Sequence, residues 1–258
     1  MNPDPFSLKG KTAIVTGSTR GIGLGIAEQF CQAGASCVIT SENADAVAIR
    51  TAELTEAGYP VVGQPGDVSS PEDLAKLVET AVTTFGALDI LVCNAGITGT
   101  AGPNTAVDPN DYARVFEVNL HSMVALTNLA YPALKERGGG SIILLSSIAG
   151  LRGNATISAY ALAKAGVAQL ARNLAVQWGP MNIRTNAISP GLIRTELSDR
   201  LMNNDAFMER RMQMTPLRRP GVVSEVAACA VFLASEAGGF VTGHNLVVDG
   251  GTTITDGS

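Results

Sequence analysis

The 258-residue chain is poor in the side chains from which many sites are built, with two histidines, His121 and His244, and four cysteines, Cys31, Cys37, Cys93 and Cys229. The cysteines are scattered through apolar stretches and form no Cys-x-x-Cys pair. Zinc centres and thiol–disulfide chemistry usually need tighter clusters of such ligands, so no metal site is expected. Scattered cysteines of this kind read as small core residues in a reducing compartment. A Cys–His or Ser–His hydrolase could still be assembled by folding, although neither histidine lies in a recognisable catalytic turn. Positive charge is short as well, because 18 Lys and Arg against 23 Asp and Glu leave a net charge of −5. A nucleic-acid or anionic-membrane binder carries a basic excess instead. No apolar run approaches the ~20 residues of a membrane span. Met1 to Lys9 is polar and contains proline, unlike a secretory leader. The expectation is a soluble, cytoplasmic protein with neither nucleic-acid nor membrane partners.

What is present is apolar. Hydrophobic residues make up 46% of the chain and charged residues 16%, enough for one sizeable core and unlike a disordered chain. Short β-branched runs alternate with helical stretches. Strands are expected at Thr12–Thr16, Cys37–Thr40, Val61–Pro65, Leu88–Cys93, Ser141–Leu145, Asn182–Ile188 and Leu246–Val248. Between them lie helices through Ala33, over Asn43–Ala57, to about Phe85, over about Asp108–Arg137 and Ile157–Trp178, and over Val222–Leu233. Ser70, Pro71 and the acidic pair Glu72 and Asp73 mark one helix start by cap, proline and first-turn charge. Strands separated by long helices pair in parallel, and right-handed crossovers put helices on both faces. The fold class is therefore α/β: a single domain with a doubly wound, Rossmann-type parallel sheet of about seven strands. Only Leu192 to Pro220 reads as irregular, and a long irregular segment in such a domain is usually a lid.

Thr16-Gly17-Ser18-Thr19-Arg20-Gly21-Ile22-Gly23 joins the first strand to the first helix. Glycines there let the backbone turn tightly and approach a pyrophosphate, to which the helix start offers free N–H groups. The spacing is neither the dinucleotide fingerprint Gly-x-Gly-x-x-Gly nor a P-loop, and a methyltransferase also has a glycine-rich first loop. Taken alone, the loop indicates a nucleotide without identifying the chemistry. Further along, Tyr160 and Lys164 stand four apart on one helix face. An ammonium there is expected to lower the tyrosine pKa and make it a usable acid or base. Ser147 lies at a strand C-terminal end, the side that faces the ligand crevice.

These elements together resemble the short-chain dehydrogenase/reductase family over about Leu8 to Gly251. The glycine loop, Cys93-Asn94-Ala95-Gly96, Asn119, Ser147 thirteen positions before Tyr160, Tyr160-x-x-x-Lys164, Pro190-Gly191-Leu192-Ile193-Arg194-Thr195 and Val248-Asp249-Gly250-Gly251 fall in the family's order. Cys93 departs from the pattern, standing where the family has a first Asn. The resemblance implies an oxidoreductase that moves a hydride between a nicotinamide cofactor and a small or medium ketone or secondary alcohol. In it Ser147 holds the substrate oxygen, Tyr160 gives or takes the proton, Lys164 also binds the nicotinamide ribose, and Asn119 helps hold a relay water. Ser146, the neighbouring hydroxyl, reads as structural.

The implied cofactor contacts are Gly17, Ser18, Thr19, Arg20, Gly21, Ile22 and Gly23, then Ser41 and Glu42 near the adenosine ribose. Asp67 and Val68 follow beside the adenine, Asn94, Ala95 and Gly96 by the ribose, then Tyr160, Lys164, Pro190, Gly191, Ile193 and Thr195. NAD is favoured over NADP. Ser41 lacks the carboxylate of many NAD users, but Glu42 would repel a 2′-phosphate, which Arg20 in turn could pair with. Met202, Met208, Met212 and Met214 are expected to line the lid with adaptable apolar surface. Helices 108–137 and 157–178 are apolar on more than one face, and family members often pair such helices in tetramers. The alternatives are an NADPH-dependent 3-oxoacyl-type carbonyl reductase and, from another class, a catalytically silent dinucleotide sensor or scaffold.

Overall fold

The β-branched runs form seven short strands: β1 (Thr12–Val15), β2 (Ser36–Ile39), β3 (Val61–Gly63), β4 (Ile90–Cys93), β5 (Gly140–Leu145), β6 (Ile183–Pro190) and β7 (Asn245–Val248). The computed structural model, which describes residues 4–255, joins them in one parallel sheet of order β3-β2-β1-β4-β5-β6-β7. Pro65 has no N–H to donate and lies beyond the end of β3. Successive strand residues point to opposite faces, so Ala13 and Val15 enter one core layer and Ile14 the other. The first layer is closed by α1 (Gly21–Gln32) and α9 (Val223–Ala234), around the fully buried Phe30. The second is closed by α3 (Pro71–Phe85), α5 (Ser122–Glu136) and α6 (Ser158–Trp178). The doubly wound expectation therefore holds. Chain order reverses between β1 and β4, where this architecture opens its ligand crevice at the strand C-terminal ends.

Two expectations need correction. The stretch 108–137 is not one regular helix: α4 (Pro109–Phe116) and α5 are joined by a π-turn, Glu117–His121. Ser122 N–H reaches back five residues to the Glu117 carbonyl. Carbonyls displaced by the wider turn are taken by side chains: Asn119 Nδ2 donates to Val115 O at 2.8 Å and Ser122 Oγ to Val118 O at 2.6 Å. Such bulges are frequent at functional sites, and this one holds Asn119. The segment after β6 is likewise less irregular than expected, because it carries α7 (Asp199–Met202) and α8 (Asp205–Gln213). Asn204 caps α8 by accepting from Phe207 N at 3.0 Å. To complete the helices, α2 (Ala44–Glu56) begins at the Asn43 cap.

Candidate active site

Thr16, directly after β1, is the hinge of the crevice. Its hydroxyl oxygen accepts from Asn94 N at 2.9 Å and Ala95 N at 3.0 Å, tying the turn after β4 to the glycine loop. Asn94 Nδ2 donates to the carbonyls of Thr16 at 2.9 Å and Gly17 at 3.2 Å. Ser18, fully buried, accepts from Thr40 N at 2.9 Å and so fastens the loop to the end of β2. Gly17 (φ 63°) and Gly21 (φ 57°) adopt left-handed backbone that other residues rarely take. A Cβ on Gly23 would overlap the Gly17 carbonyl and the Asn94 amide.

The loop delivers an open helix end. Helices α2, α3 and α4 are capped by the side chains of Asn43, Ser70 and Asp108. By contrast, α1 has no side-chain cap and no acidic residue in its first turn. Its first N–H groups are oriented for an anion, which fits the pyrophosphate of a dinucleotide. Thr195 lies across from Gly21, where a Cβ would meet its side chain at 3.7 Å. Arg20 points to the same segment, 3.3 Å from Glu196. Other implied contacts have local partners. Asp67 Oδ1 accepts from Ser69 N and Ser69 Oγ, both at 2.8 Å. Ser41 Oγ pairs with Asn43 backbone at 3.3 Å, and Glu42 beside it is exposed. The Ile193 side chain is buried in the first core layer, and its backbone bridges to Gly221. Pro190 ends β6, and Gly191 packs against Asp249. Ile22 and Val68 are half-buried beside the two core layers.

Across the switch point, Ser147, Tyr160, Lys164 and Asn119 converge. Lys164 is buried and its Nζ donates to Leu145 O at 2.7 Å, 5.6 Å from the centre of the Tyr160 ring. Gly96 shares this corner: a Cβ there would stand 2.6 Å from Asn119 Oδ1 and 3.5 Å from Lys164 Nζ. Asn119 is itself clamped, accepting from Ile97 N at 3.3 Å and donating to Ile97 O at 2.8 Å. Ser146 Oγ donates to Lys164 O at 2.7 Å, a structural bond that leaves Ser147 as the hydroxyl beside Tyr160. Burial pushes the Tyr160 phenol up from its ordinary value, and hydrogen bonding with Ser147 opposes this. The phenol is therefore raised here rather than lowered as expected, with burial the larger cause and Ser147 the opposing one. Burial also lowers the Lys164 ammonium to about 8, against an opposing pull from Cys93. The Cys93 thiol, pushed up to about 12 by burial and held back by Lys164, stays neutral near pH 7.

Sequence reading passed over three residues that shape this site. Thr16 had a signal, since it immediately precedes the first loop glycine. Arg50, whose Nε donates to Thr19 O at 3.2 Å, and Glu196 had none, being linked to the loop only through the fold.

Comparisons with known proteins agree with this geometry. A family profile described as Enoyl-(Acyl carrier protein) reductase matches residues 17–253. A tropinone reductase homolog of Arabidopsis thaliana is 38% identical over 250 residues, 96% of this chain and 94% of the relative. Among solved structures, a gluconate 5-dehydrogenase of Burkholderia cenocepacia in complex with NADP and tartrate superposes with TM-score 0.94 at 34% identity, covering 98% of each chain. A 7α-hydroxysteroid dehydrogenase complexed with NADH and 7-oxo glycochenodeoxycholic acid superposes with TM-score 0.93 at 37% identity, covering 97% of each. The corresponding Escherichia coli enzyme is 37% identical over 252 residues.

Proposed function

Because the chain belongs to the short-chain dehydrogenase/reductase family, we propose that it interconverts a small or medium ketone and its secondary alcohol through Ser147, Tyr160, Lys164 and Asn119. The observation that carries this reading is the meeting of Ser147, Tyr160 and Lys164 beside an uncapped helix end, at the reversal point of the sheet. A bound nicotinamide supplies or accepts the hydride, which no side chain here can do. Ser147 donates a hydrogen bond to the substrate oxygen. Tyr160 gives its proton to that oxygen in reduction and takes it back in oxidation. Lys164 binds the nicotinamide ribose and supplies positive charge beside the phenol. Asn119 acts as a positioning residue, since its amide is committed to Ile97 and Val115 and braces the wall around any relay water. The segment 192–220 serves as lid, with Met202, Met208, Met212 and Met214 half-buried along it. A panel of ketones assayed with both reduced dinucleotides tests the reading; no cofactor-dependent turnover on any of them would count against it.

NADH is the favoured cofactor. Glu42 stands exposed where a 2′-phosphate would meet it, and Arg20 is engaged by Glu196. Arg50 is likewise paired, with Glu53. With one substrate, kcat/KM is expected to favour NADH in the wild type and to shift towards NADPH in Glu42→Arg. A wild-type preference for NADPH would overturn this.

The relatives' ligands are as unlike as 7-oxo glycochenodeoxycholic acid and tartrate, so the fold alone does not choose a substrate. Assembly as a homotetramer is supported by exposed apolar side chains on α5 (Val124, Leu129) and α6 (Leu162, Val176). Light scattering at micromolar concentration should read about four subunit masses, and a clean monomer would contradict it. No helix among the described residues is long and apolar enough to cross a membrane. Four free cysteines support the cytoplasmic reading.

A further inference from the structure

Ser146, the residue before Ser147, is buried and spends its hydroxyl on Lys164. Its backbone is fixed in the sheet, since Ser146 N donates to Ile188 O of β6 at 2.8 Å. Its Oγ leaves the sheet and donates to Lys164 O at 2.7 Å. That carbonyl lies inside α6, where the helix ladder already supplies an N–H four residues on. The serine bond is therefore a second one, which the helix does not need for its own satisfaction. What it adds is a fixed joint between β5 and α6.

Lys164 is thus tied to the end of β5 twice. Its ammonium donates to Leu145 O at 2.7 Å, and its carbonyl accepts from the next residue, Ser146. The two bonds close a ring through the Leu145–Ser146 backbone and the buried lysine side chain. The turn Ile148–Gly150 presses on the same point of α6. A Cβ on Gly150 would stand 2.6 Å from Ala165 N and 2.8 Å from the Lys164 carbonyl carbon. Ser147 leads into that turn, and its Oγ accepts from Ala149 N at 3.1 Å. Tyr160 lies one helical turn before Lys164, with Nζ 5.6 Å from its ring centre. A slip of α6 at Lys164 would draw the ammonium away from Leu145 O and move Tyr160 relative to Ser147.

We propose that Ser146 is a positioning residue of the reaction: its hydroxyl fixes Lys164, and through the same helix Tyr160, at the height along β5 where both meet Ser147. The inference rests on the oxidoreductase reading above and extends it by one residue.

The test uses Ser146→Ala and Ser146→Thr. The first removes the bond and strands no polar group, because the helix still satisfies Lys164 O; the second keeps a hydroxyl. The free protein is reductively methylated with formaldehyde and cyanoborohydride, and peptide mass spectrometry compares Lys164 with Lys76, whose side chain is 56% exposed. In Ser146→Ala the Lys164 rate relative to Lys76 is expected to rise on the order of tenfold, the worth of one ordinary hydrogen bond, and in Ser146→Thr to stay within about threefold of the wild type. With the best ketone of the panel, kcat should fall on the order of tenfold in Ser146→Ala, while ketone KM and NADH Kd stay within about threefold, because neither the substrate nor the glycine loop is touched. Ser146→Thr should recover most of that kcat. Unchanged Lys164 labelling, faster labelling with unchanged kcat, a loss carried by KM alone, Ser146→Thr behaving as Ser146→Ala, or loss of far-ultraviolet circular dichroism in Ser146→Ala would overturn the proposal. Labelling that responds as expected in a protein that turns over no ketone leaves the joint standing and contradicts the redox reading.

Discussion

Replacing Tyr160 with phenylalanine is expected to lower turnover by roughly two to four orders of magnitude, the usual worth of a positioned acid or base. The ring still fills its place against Lys164, so dinucleotide affinity should stay within a few-fold of the wild type. Fluorescence titration of the reduced cofactor reads the second quantity and steady-state kinetics the first. A variant with near-normal kcat would remove Tyr160 from the proton transfer. The same phenol sets the pH dependence. Burial raises its pKa, so the protonated form that reduction needs persists through neutral pH and the reductive rate should stay flat there. Oxidation needs the phenolate, and its rate should climb with pH across the same range. Parallel profiles in the two directions would contradict the assignment.

Gly23→Ala carries the second large effect. Its Cβ would be driven into the Gly17 carbonyl and the Asn94 amide. Gly17 is held in a left-handed conformation, and the Asn94 amide is bonded to two loop carbonyls, so neither can give way cheaply. Overpacking of this kind typically costs about 1–3 kcal/mol. Here it falls on the loop that shapes the anion-receptive start of α1. Dinucleotide Kd is therefore expected to rise on the order of ten- to a hundredfold, with far-ultraviolet circular dichroism unchanged because the sheet does not depend on the loop. A Kd within twofold of the wild type would show that the loop does not hold the cofactor.

Much of this site was legible because its parts are local. Ser147, Tyr160 and Lys164 belong to one strand–helix unit, β5 to α6, where spacing in sequence translates directly into position. The loops after β1 and β4 are also local, and the parallel order brings them together at the reversal point. The rest depends on contacts that no spacing encodes. The π-turn around Asn119 is a change of hydrogen-bond register inside a stretch whose apolar pattern reads as one helix. The rise of the Tyr160 pKa comes from burial, whereas the sequence displays only the neighbouring lysine. Arg20 meets Glu196 across 176 positions. The helices within the lid were hidden by a polar, Met- and Arg-rich composition with little apolar periodicity.

The central claim is direct transfer of a hydride to a substrate carbon while Tyr160 handles the proton. NADH deuterated at both C4 positions, incubated with the protein and the best ketone of the panel, tests it in one measurement. Mass spectrometry of the alcohol product should show one deuterium on the carbinol carbon with the wild type. Product formed without that label, or NADH consumed with no alcohol formed, would contradict the account.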